Sequence, residues 1–515
     1  MIPHALAILV GAPFVAALVL LAVPQRLRLV TRLVSLAAAL ISAGLSGWVA
    51  ATWDIARGGF QLDERYTVLP SLGIEMHLAV DGWGAALLVL TGLIIVAGVL
   101  ATWTQERRDQ EFYILLLVLV SGVFGVFVCQ DLFIFFLFYE IAVLPMYILI
   151  GIWGSQGKVE PRGPLKFVYE YLDVGGREYA AMKLTLMLLV GSAAILVAIL
   201  ALYSEAGGTT FDMIELGRHH FDVDTQKLYF PIVWLGFGAL AGVFPFHTWS
   251  PDGHAAAPTA VSMLHAGVLM KLGAFGIMRV GMVLMPEGAI AWAPVVGGVA
   301  VINIVYGAFG AMSQKDLKYI VAYSSVSHMG VVMLGAATMT VDGWNGAIFQ
   351  MVAHGVMTGL FFALVGLVYG KTHTRWVPKM GGFGRVMPGI ASFFTLACLS
   401  SLALPGTAGF IAELLVFLGA WQSGHPVWAI AGAAGAFVTA VYVLRAVKSI
   451  FWGEGPSKEF EHLGDANRVE WGALVLLGAA ILVFGFWPGP VLNLIDATTT
   501  RLVHDLLPLT LALNP

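Results

Sequence analysis

The chain has little charge and almost no cysteine. Only 11% of its 515 residues are Asp, Glu, Lys or Arg, whereas soluble domains carry about 25%. Its net charge of −4 gives no basic surface for a nucleic-acid backbone. Its two cysteines, Cys129 and Cys398, stand apart in apolar segments, so they provide neither an iron–sulfur or zinc site nor a disulfide framework. These absences exclude a soluble enzyme, a disordered chain and a nucleic-acid-binding protein.

Apolar residues dominate the composition. They make up 59% of the chain, which also has 31 phenylalanines and 15 tryptophans. Because a membrane-spanning helix needs roughly 20 apolar residues, the sequence predicts an all-α polytopic membrane protein. Long polar connections are expected at 51–80, 154–179 and 204–227. Fourteen spans are predicted, at 2–23, 29–50, 81–103, 112–129, 131–153, 180–203, 228–247, 258–282, 289–312, 317–338, 343–370, 387–420, 425–451 and 469–488.

The distribution of Lys and Arg predicts how these spans are oriented. If the first residue is outside and the connections alternate, 20 of the 27 basic residues fall inside, six fall outside, and Lys271 lies within a span. Cytoplasmic loops are rich in Lys and Arg, so both termini are expected outside. The first apolar run has no preceding positive charge, which favours a retained helix over a secretory signal. We interpret the acidic residues of connections 51–80 and 204–227 as a solvated face in preference to a cation site.

Five ionisable residues are predicted to lie deep in the membrane. Glu140 is nine residues into its span, which places it about 13 Å deep. Lys271 is about thirteen residues into its span, too deep for its ammonium group to reach the membrane surface easily. Charge at this depth costs several kcal/mol, so such residues are functional candidates. A purely structural, hydrogen-bonded role is the alternative for each member of the set, which is Glu140, Lys271, His328, His354 and Glu413.

The two histidines of this set are mid-span and have polar neighbours. His328 follows Tyr323 and three serines, and Thr358 lies one turn after His354. Histidine titrates near neutral pH, which suits proton relay. His247 and His254 are a different pair, seven residues apart on a segment that Pro245 and Pro251 predict to be irregular. For that pair we favour a structural role over a metal site.

Two predicted spans contain helix breakers near polar residues. Pro405 and Gly406 interrupt the twelfth span shortly before Glu413, and Phe244–His247 interrupts the seventh. Interrupted membrane helices free backbone groups that must face protein or water, and they are typical of transporters. Because the breaks are five spans apart, we predict two inverted five-helix repeats within one membrane domain, 1–515. Its parts are N-terminal helices 1–111, repeat one at 112–282, repeat two at 289–451, and a last helix with a tail at 469–515.

Five segments carry a family resemblance, at 131–147, 244–249, 251–259, 317–330 and 404–413. Together they resemble the antiporter-like membrane subunits of complex I, the proton-translocating NADH:quinone oxidoreductase, over nearly the whole chain. The most similar type is subunit M, the counterpart of mitochondrial chain 4. Glu413 supports that type, because subunits L and N and the Mrp sodium/proton antiporter chains usually have lysine at this position.

The resemblance implies a function for the buried set. Glu140, Lys271, His328, His354 and Glu413 match the family's central polar axis, in which protons move through side chains and water. Lys271 would be the central proton carrier, the two histidines would relay protons, and Glu413 would govern exchange at one end. Energy would come from electron transport on other subunits, so this chain would itself bind no cofactor or metal and perform no redox chemistry. The expected partners are the other membrane subunits and the lipid of a bacterial inner membrane.

Leu240 departs from this resemblance. Most relatives have a lysine there, the usual partner of the Glu140 carboxylate, and many have proline where this chain has Gly242. We therefore expect Glu140 to keep its proton for much of the cycle. Two alternatives stay open: an antiporter-like subunit of an Mrp-type antiporter, hydrogenase or carbon-uptake complex, and a membrane scaffold that does not pump. Connection 154–179, longer than the usual family loop, is a candidate contact with a neighbouring subunit.

Overall fold

Membrane-length helices build nearly the whole structure, a computed structural model that describes residues 2–156, 175–453, 455–456 and 458–513. Within these residues, thirteen helical segments are long and apolar enough to cross a membrane. The helices are α1 Ala5–Ala22, α2 Arg28–Thr52, α3 Gly82–Ala101, α4 Asp109–Val128, α5 Leu132–Trp153, α6 Arg177–Glu205, α7 Val223–Ala241, α8 Trp249–Ala256, α9 Thr259–Met282, α10 Pro286–Ser313, α11 Leu317–Ala337, α12 Val341–Thr372, α13 Pro388–Ser401, α14 Ala408–Gln422, α15 Pro426–Phe451, α16 Arg468–Phe486 and α17 Gly489–Leu513.

These helices confirm the predicted fold class. Thirteen of the fourteen predicted spans correspond to the long segments, with α7 and α8 forming one of them. The remaining span corresponds to the shorter apolar helices α13 and α14. The inverted relation of the two repeats and the orientation of the termini stay predictions. Most of connection 154–179, where a subunit contact was predicted, lies outside the described residues.

Both predicted interruptions are present. Helix α7 ends at Ala241, Gly242 has φ 72°, and a short turn at Phe246–Thr248 leads into α8. A left-handed φ at this point suits glycine and excludes proline, whose φ is fixed near −65°. Between α13 and α14, Gly406 has φ 93°. The first break separates α7 from α8, and the second separates α13 from α14.

One local expectation was wrong, because His254 lies in a helix and not in an irregular segment. The chain resumes helical geometry at Trp249 and continues to Ala256. Pro251 is in the first turn of α8, where its missing N–H leaves no intrahelical hydrogen bond unmade. The proline that suggested an irregular segment is therefore compatible with the start of a helix.

Connection 51–80 contains a β-hairpin that the sequence analysis missed. Strand β1, Gln61–Leu69, pairs antiparallel with β2, Ile74–Val80. The second strand also touches the link between α4 and α5 at Cys129, and Asp131 of that link pairs with Asp212. Asp63, Glu75 and Asp212 thereby form ion pairs with Arg65. The interpretation of these acidic residues as a solvated face was wrong for Asp212, which is buried where the hairpin brings the two connections together, while Asp63 and Glu75 remain partly exposed.

Helix α17 was missed as well, because its polar residues recur too often for an apolar span. It packs on α3, where the N–H of Gly82 and the indole N–H of Trp83 each donate a 2.9 Å hydrogen bond to Thr498 and Thr499 respectively. A side chain at position 82 would collide with the carbonyl of Leu494, since a Cβ there would lie 1.8 Å from that oxygen. Glycine at this position therefore permits the close packing of α17 on α3.

Candidate functional site

Lys271 lies at the centre of α9 and has no exposed surface. The helix widens to π geometry at His265–Leu269 and again at Ile277–Met282, on both sides of the lysine. Such segments often occur at functional sites. The Lys271 ammonium donates to the carbonyl of Ala266, and its Nζ is 2.7 Å from Nδ1 of His354. In the described structure, the lysine thus has an imidazole and not a carboxylate as its side-chain partner.

His354 and His328 continue the polar arrangement from α12 to α11. Their ring centroids are 5.3 Å apart. The Gln350 amide lies 3.2 Å from Nδ1 of His328, and Ser401 Oγ lies 3.1 Å from its Nε2. Gln350 and His354 are four residues apart on one helix and therefore share a face. Both nitrogens of His328 are held by polar neighbours.

Glu413 joins this group through the second helix break. It lies in α14, which begins just after the interruption, and it is 5% exposed. Its Oε1 is 3.4 Å from Nδ1 of His328. The break also ends α13 at Ser401, whose hydroxyl contacts the same imidazole. We call the resulting series the central polar path, defined as Lys271, His354, His328 and Glu413.

Glu140 is not part of the central polar path. Its Oε1 is buried without a hydrogen-bond partner among the described residues. The adjacent Tyr139 packs on Phe237 of α7, with ring centroids 6.2 Å apart, and its hydroxyl is likewise unpartnered within the described structure. The structure thus brings together four of the five predicted residues and leaves the fifth apart from them, beside Tyr139 and the Ser192 hydroxyl of α6.

Leu240 is fully buried in the last turn of α7. Helix α9 approaches this turn closely, because a Cβ on Gly273 would lie 2.5 Å from the backbone nitrogen of Ala241. A Cβ on Gly276 would likewise lie 2.5 Å from the Phe237 ring. The two glycines allow the helices to meet, and they leave a crowded setting for any longer side chain at position 240.

A second group of buried polar residues was missed or undervalued. His265 was not singled out, and His254 was assigned a structural role. Their rings stack with centroids 3.8 Å apart, both side chains are fully buried, and all four ring nitrogens lack hydrogen-bond partners among the described residues. Nearby, the Lys318 ammonium donates to the carbonyl of Ala257 at 2.6 Å. The sequence feature that could have identified this group is His265, a histidine in an apolar helix six residues before Lys271.

The structure also bears on metal binding. Within the residues it describes, no group of three or more His, Cys, Asp or Glu side chains is arranged to hold a metal ion. His254 contacts His265 and Phe362, and His247 contacts Phe244 and Tyr306, through their rings. The two histidines considered as a pair from the sequence therefore pack among different neighbours.

Known proteins share this architecture. Residues 129–439 match the family model described as NADH:quinone oxidoreductase/Mrp antiporter, transmembrane. A Thermosynechococcus vestitus protein named NAD(P)H-quinone oxidoreductase chain 4 2 is 37% identical over 514 residues, covering 98% of this chain and 93% of that relative. A Picosynechococcus protein named NAD(P)H-quinone oxidoreductase chain 4 1 is also 37% identical, with coverage of 96% and 90%.

Solved structures agree with these relatives. A chain of respiratory complex I from Thermus thermophilus has a TM-score of 0.85 and 28% identity, with 97% of this chain and 99% of that chain covered. A chain of the Mrp complex from a Dietzia species has a TM-score of 0.82, covers 98% of both chains and is 20% identical, which shows a shared fold. The chain belongs to the NADH:quinone oxidoreductase/Mrp antiporter family of multi-pass membrane subunits. Within it, the chain is of the complex I subunit M, or chain 4, type, as the sequence predicted.

Proposed function

We propose that this chain translocates protons in a complex I-like NADH:quinone oxidoreductase and that they move along the central polar path. The observation that supports this most strongly is the series of four neighbouring polar side chains from Lys271 to Glu413. Its links are the 2.7 Å approach of Lys271 to His354 and the 3.4 Å approach of His328 to Glu413, joined by two neighbouring imidazoles. Redox chemistry on other subunits would supply the energy.

Each side chain has a defined task in this proposal. A protonated Lys271 donates its proton to Nδ1 of His354, and the imidazole releases a proton from its other nitrogen. The 5.3 Å between ring centroids is short enough for one bridging water to carry the proton to His328. Glu413 accepts it next. Gln350 and Ser401 hold the His328 ring in the orientation that this transfer needs.

A charged pair of His328 and Glu413 would be strong enough to drive a pumping step. Opposite charges 3.4 Å apart attract by about 5 kcal/mol at an effective dielectric constant of 20. Moving one elementary charge against 100 mV requires about 2.3 kcal/mol. Forming or breaking this ion pair, under control of a neighbouring subunit, would therefore exceed the electrical work of moving one proton.

Glu140 has a separate place in the proposal. Leu240 supplies no cation, and no hydrogen bond or ion pair of the described residues links Glu140 to Lys271. Any exchange between the two groups would pass through intervening water, and Glu140 would act as a proton-holding site at the far end of the axis. A scaffold that has stopped pumping is the alternative, and Leu240, at the position where most relatives have a lysine, is the observation in its favour.

Replacement of Lys271 tests the proposal. Lys271→Met removes the titrating amine but keeps a side chain of similar length, so the complex should assemble and the proton-to-electron ratio in reconstituted vesicles should fall. Leu272→Met is the matched control, because Leu272 is also fully buried in α9 and the exchange nearly conserves volume. An unchanged ratio in Lys271→Met would support the scaffold and reject the proposed path.

A further inference from the structure

His77 of strand β2 has an arrangement unlike that of the other buried histidines. Its side chain has no exposed surface, and both ring nitrogens face carboxylates. Nδ1 is 2.5 Å from Oδ2 of Asp212, and Nε2 is 3.0 Å from Oδ2 of Asp63. An ionised carboxylate can only accept hydrogen bonds, and only a doubly protonated imidazole can donate from both nitrogens. The geometry therefore fits a charged histidine.

The charged groups around His77 come from three segments of the chain. Arg65 of β1 lies 3.3 Å from Asp212, 3.4 Å from Glu75 and 3.6 Å from Asp63. Asp131, at the start of α5, adds another carboxylate close to Asp212. With four carboxylates and one arginine in the described cluster, a proton on the imidazole brings the charges closer to balance.

Two pKa shifts agree with this geometry. Burial and the charge of Arg65 lower the pKa of His77, but the hydrogen bond and charge of Asp212, together with the hydrogen bond to Asp63, outweigh them and raise the pKa above its ordinary value of 6.5. Burial alone would raise the pKa of Asp212, but His77 and backbone N–H groups outweigh it and hold the pKa below its ordinary value of 3.8.

This cluster joins the hairpin to the first turn of α5. The N–H of Gln130 donates to the carbonyl of His77 at 2.8 Å, and the N–H of Met213 donates to the carbonyl of Gln130 at 2.6 Å. Asp131 caps α5 by accepting from the N–H of Ile134, and its second oxygen accepts from the N–H of Glu75. The helix that carries Glu140 therefore begins within the same joint.

We propose that His77 is a proton-binding site that locks the hairpin onto the start of α5. Its proton holds Asp63 and Asp212 together through one imidazole ring. When the proton leaves, one ring nitrogen presents a lone pair to a carboxylate, and the joint between the hairpin, the α4–α5 link and the segment around Asp212 loosens. The site lies outside the central polar path and does not depend on the proposed route of protons.

The sign of the pH dependence follows from the two shifts. The stabilisation from His77 is complete below its ordinary pKa of 6.5 and is lost as pH rises through its raised folded-state pKa. The stabilisation from Asp212 is complete above its ordinary pKa of 3.8 and is lost only as pH falls through its lowered pKa. The joint is therefore tightest between these ordinary values and opens on the alkaline side.

Hydrogen–deuterium exchange of the intact purified complex tests this site. Protection in segments 61–80 and 209–217 is measured from about pH 6 to about pH 9.5, normalised to the intrinsic exchange rate of unfolded peptides. Loss of a single linked proton should lower protection by up to roughly tenfold per pH unit between the ordinary pKa of 6.5 and the raised pKa of folded His77, and should lower it no further at higher pH. His77→Gln should abolish this pH dependence.

Two further variants keep the test decisive if His77→Gln disrupts the hairpin. Asp63→Asn removes one of the two facing carboxylates from a half-exposed position, so the alkaline loss of protection should shift to lower pH. Glu205→Gln, a change at the exposed last residue of α6, should leave the midpoint where it is. Protection that stays constant with pH in the native complex, or equal midpoints in Asp63→Asn and Glu205→Gln, would overturn the assignment.

Discussion

Glu413 and Glu140 are both carboxylates on membrane helices, but their surroundings differ. Glu413 lies 3.4 Å from an imidazole that also contacts an amide and a hydroxyl. Glu140 lies beside an aromatic contact between α5 and α7, and its buried oxygen has no partner among the described residues. A carboxylate at membrane depth therefore indicates function most clearly when a neighbouring helix supplies a group that can exchange its proton.

The two helix breaks, after α7 and between α13 and α14, also differ in the groups that surround them. The break between α13 and α14 brings Ser401 and Glu413 to His328 from opposite ends of one interrupted helix. At the first break, Asn303 of α10 binds the freed N–H of Phe244 at 2.7 Å and the carbonyl of Val326 at 2.9 Å. Backbone groups freed by the first break are thus satisfied by a structural amide, while the second break places side chains on the path.

The largest loss of proton transfer, and so the clearest distinction between the central polar path and Glu140, is expected from a change at His354. His354→Leu removes the only side-chain partner of Lys271 in the described structure, so proton transfer should fall at least tenfold while the complex remains assembled. Proton uptake by reconstituted vesicles during quinone reduction is the measurement. Ile348→Val, a change at a fully buried position on the same helix, should leave the rate near normal. Comparable losses in both variants would indicate a packing defect.

A smaller effect is expected from a pair of adjacent serines. Ser401→Ala removes the hydroxyl 3.1 Å from Nε2 of His328 and should slow proton transfer several-fold, because the ring loses one of the groups that orient it. Ser400 is the control, since its hydroxyl is buried without a hydrogen-bond partner within the described residues. Vesicle assays of the two alanine variants should therefore differ. Equal rates of proton transfer in the two variants would show that Ser401 does not orient His328 for proton transfer.

The smallest effect on turnover is expected from placing a lysine at position 240, as a partner for Glu140. Leu240→Lys should give Glu140 a cation and favour its ionised form, although overpacking against α9 would cost roughly 1–3 kcal/mol. Infrared difference spectra should show the protonated-carboxyl band of Glu140 in the native complex and its loss in Leu240→Lys, with Glu140→Gln used to assign the band. A native spectrum without that band would show that Glu140 already has a compensating partner.

Much of the fold and of the central polar path could be predicted from the sequence, because a charged residue within a long apolar run is easily recognised. The apolar runs located the membrane helices, Pro405 located a break, and the depth of Lys271 marked it as functional. The hairpin was missed because it lies in a connection that was assigned only by its polarity, and α17 was missed because its polar residues recur too often for an apolar span. The isolation of Glu140 could not be predicted either, since it depends on how Tyr139 and Phe237 pack between helices distant in sequence.

We claim above all that proton translocation depends more on the central polar path, which includes Glu413, than on Glu140. Glu413→Gln and Glu140→Gln are nearly isosteric changes that each remove one titrating carboxyl, so their proton-to-electron ratios in identically prepared vesicles compare the regions directly. We predict a clearly lower proton-to-electron ratio for Glu413→Gln and a proton-to-electron ratio close to that of the native complex for Glu140→Gln. An equal loss in both variants, or a loss confined to Glu140→Gln, would contradict it.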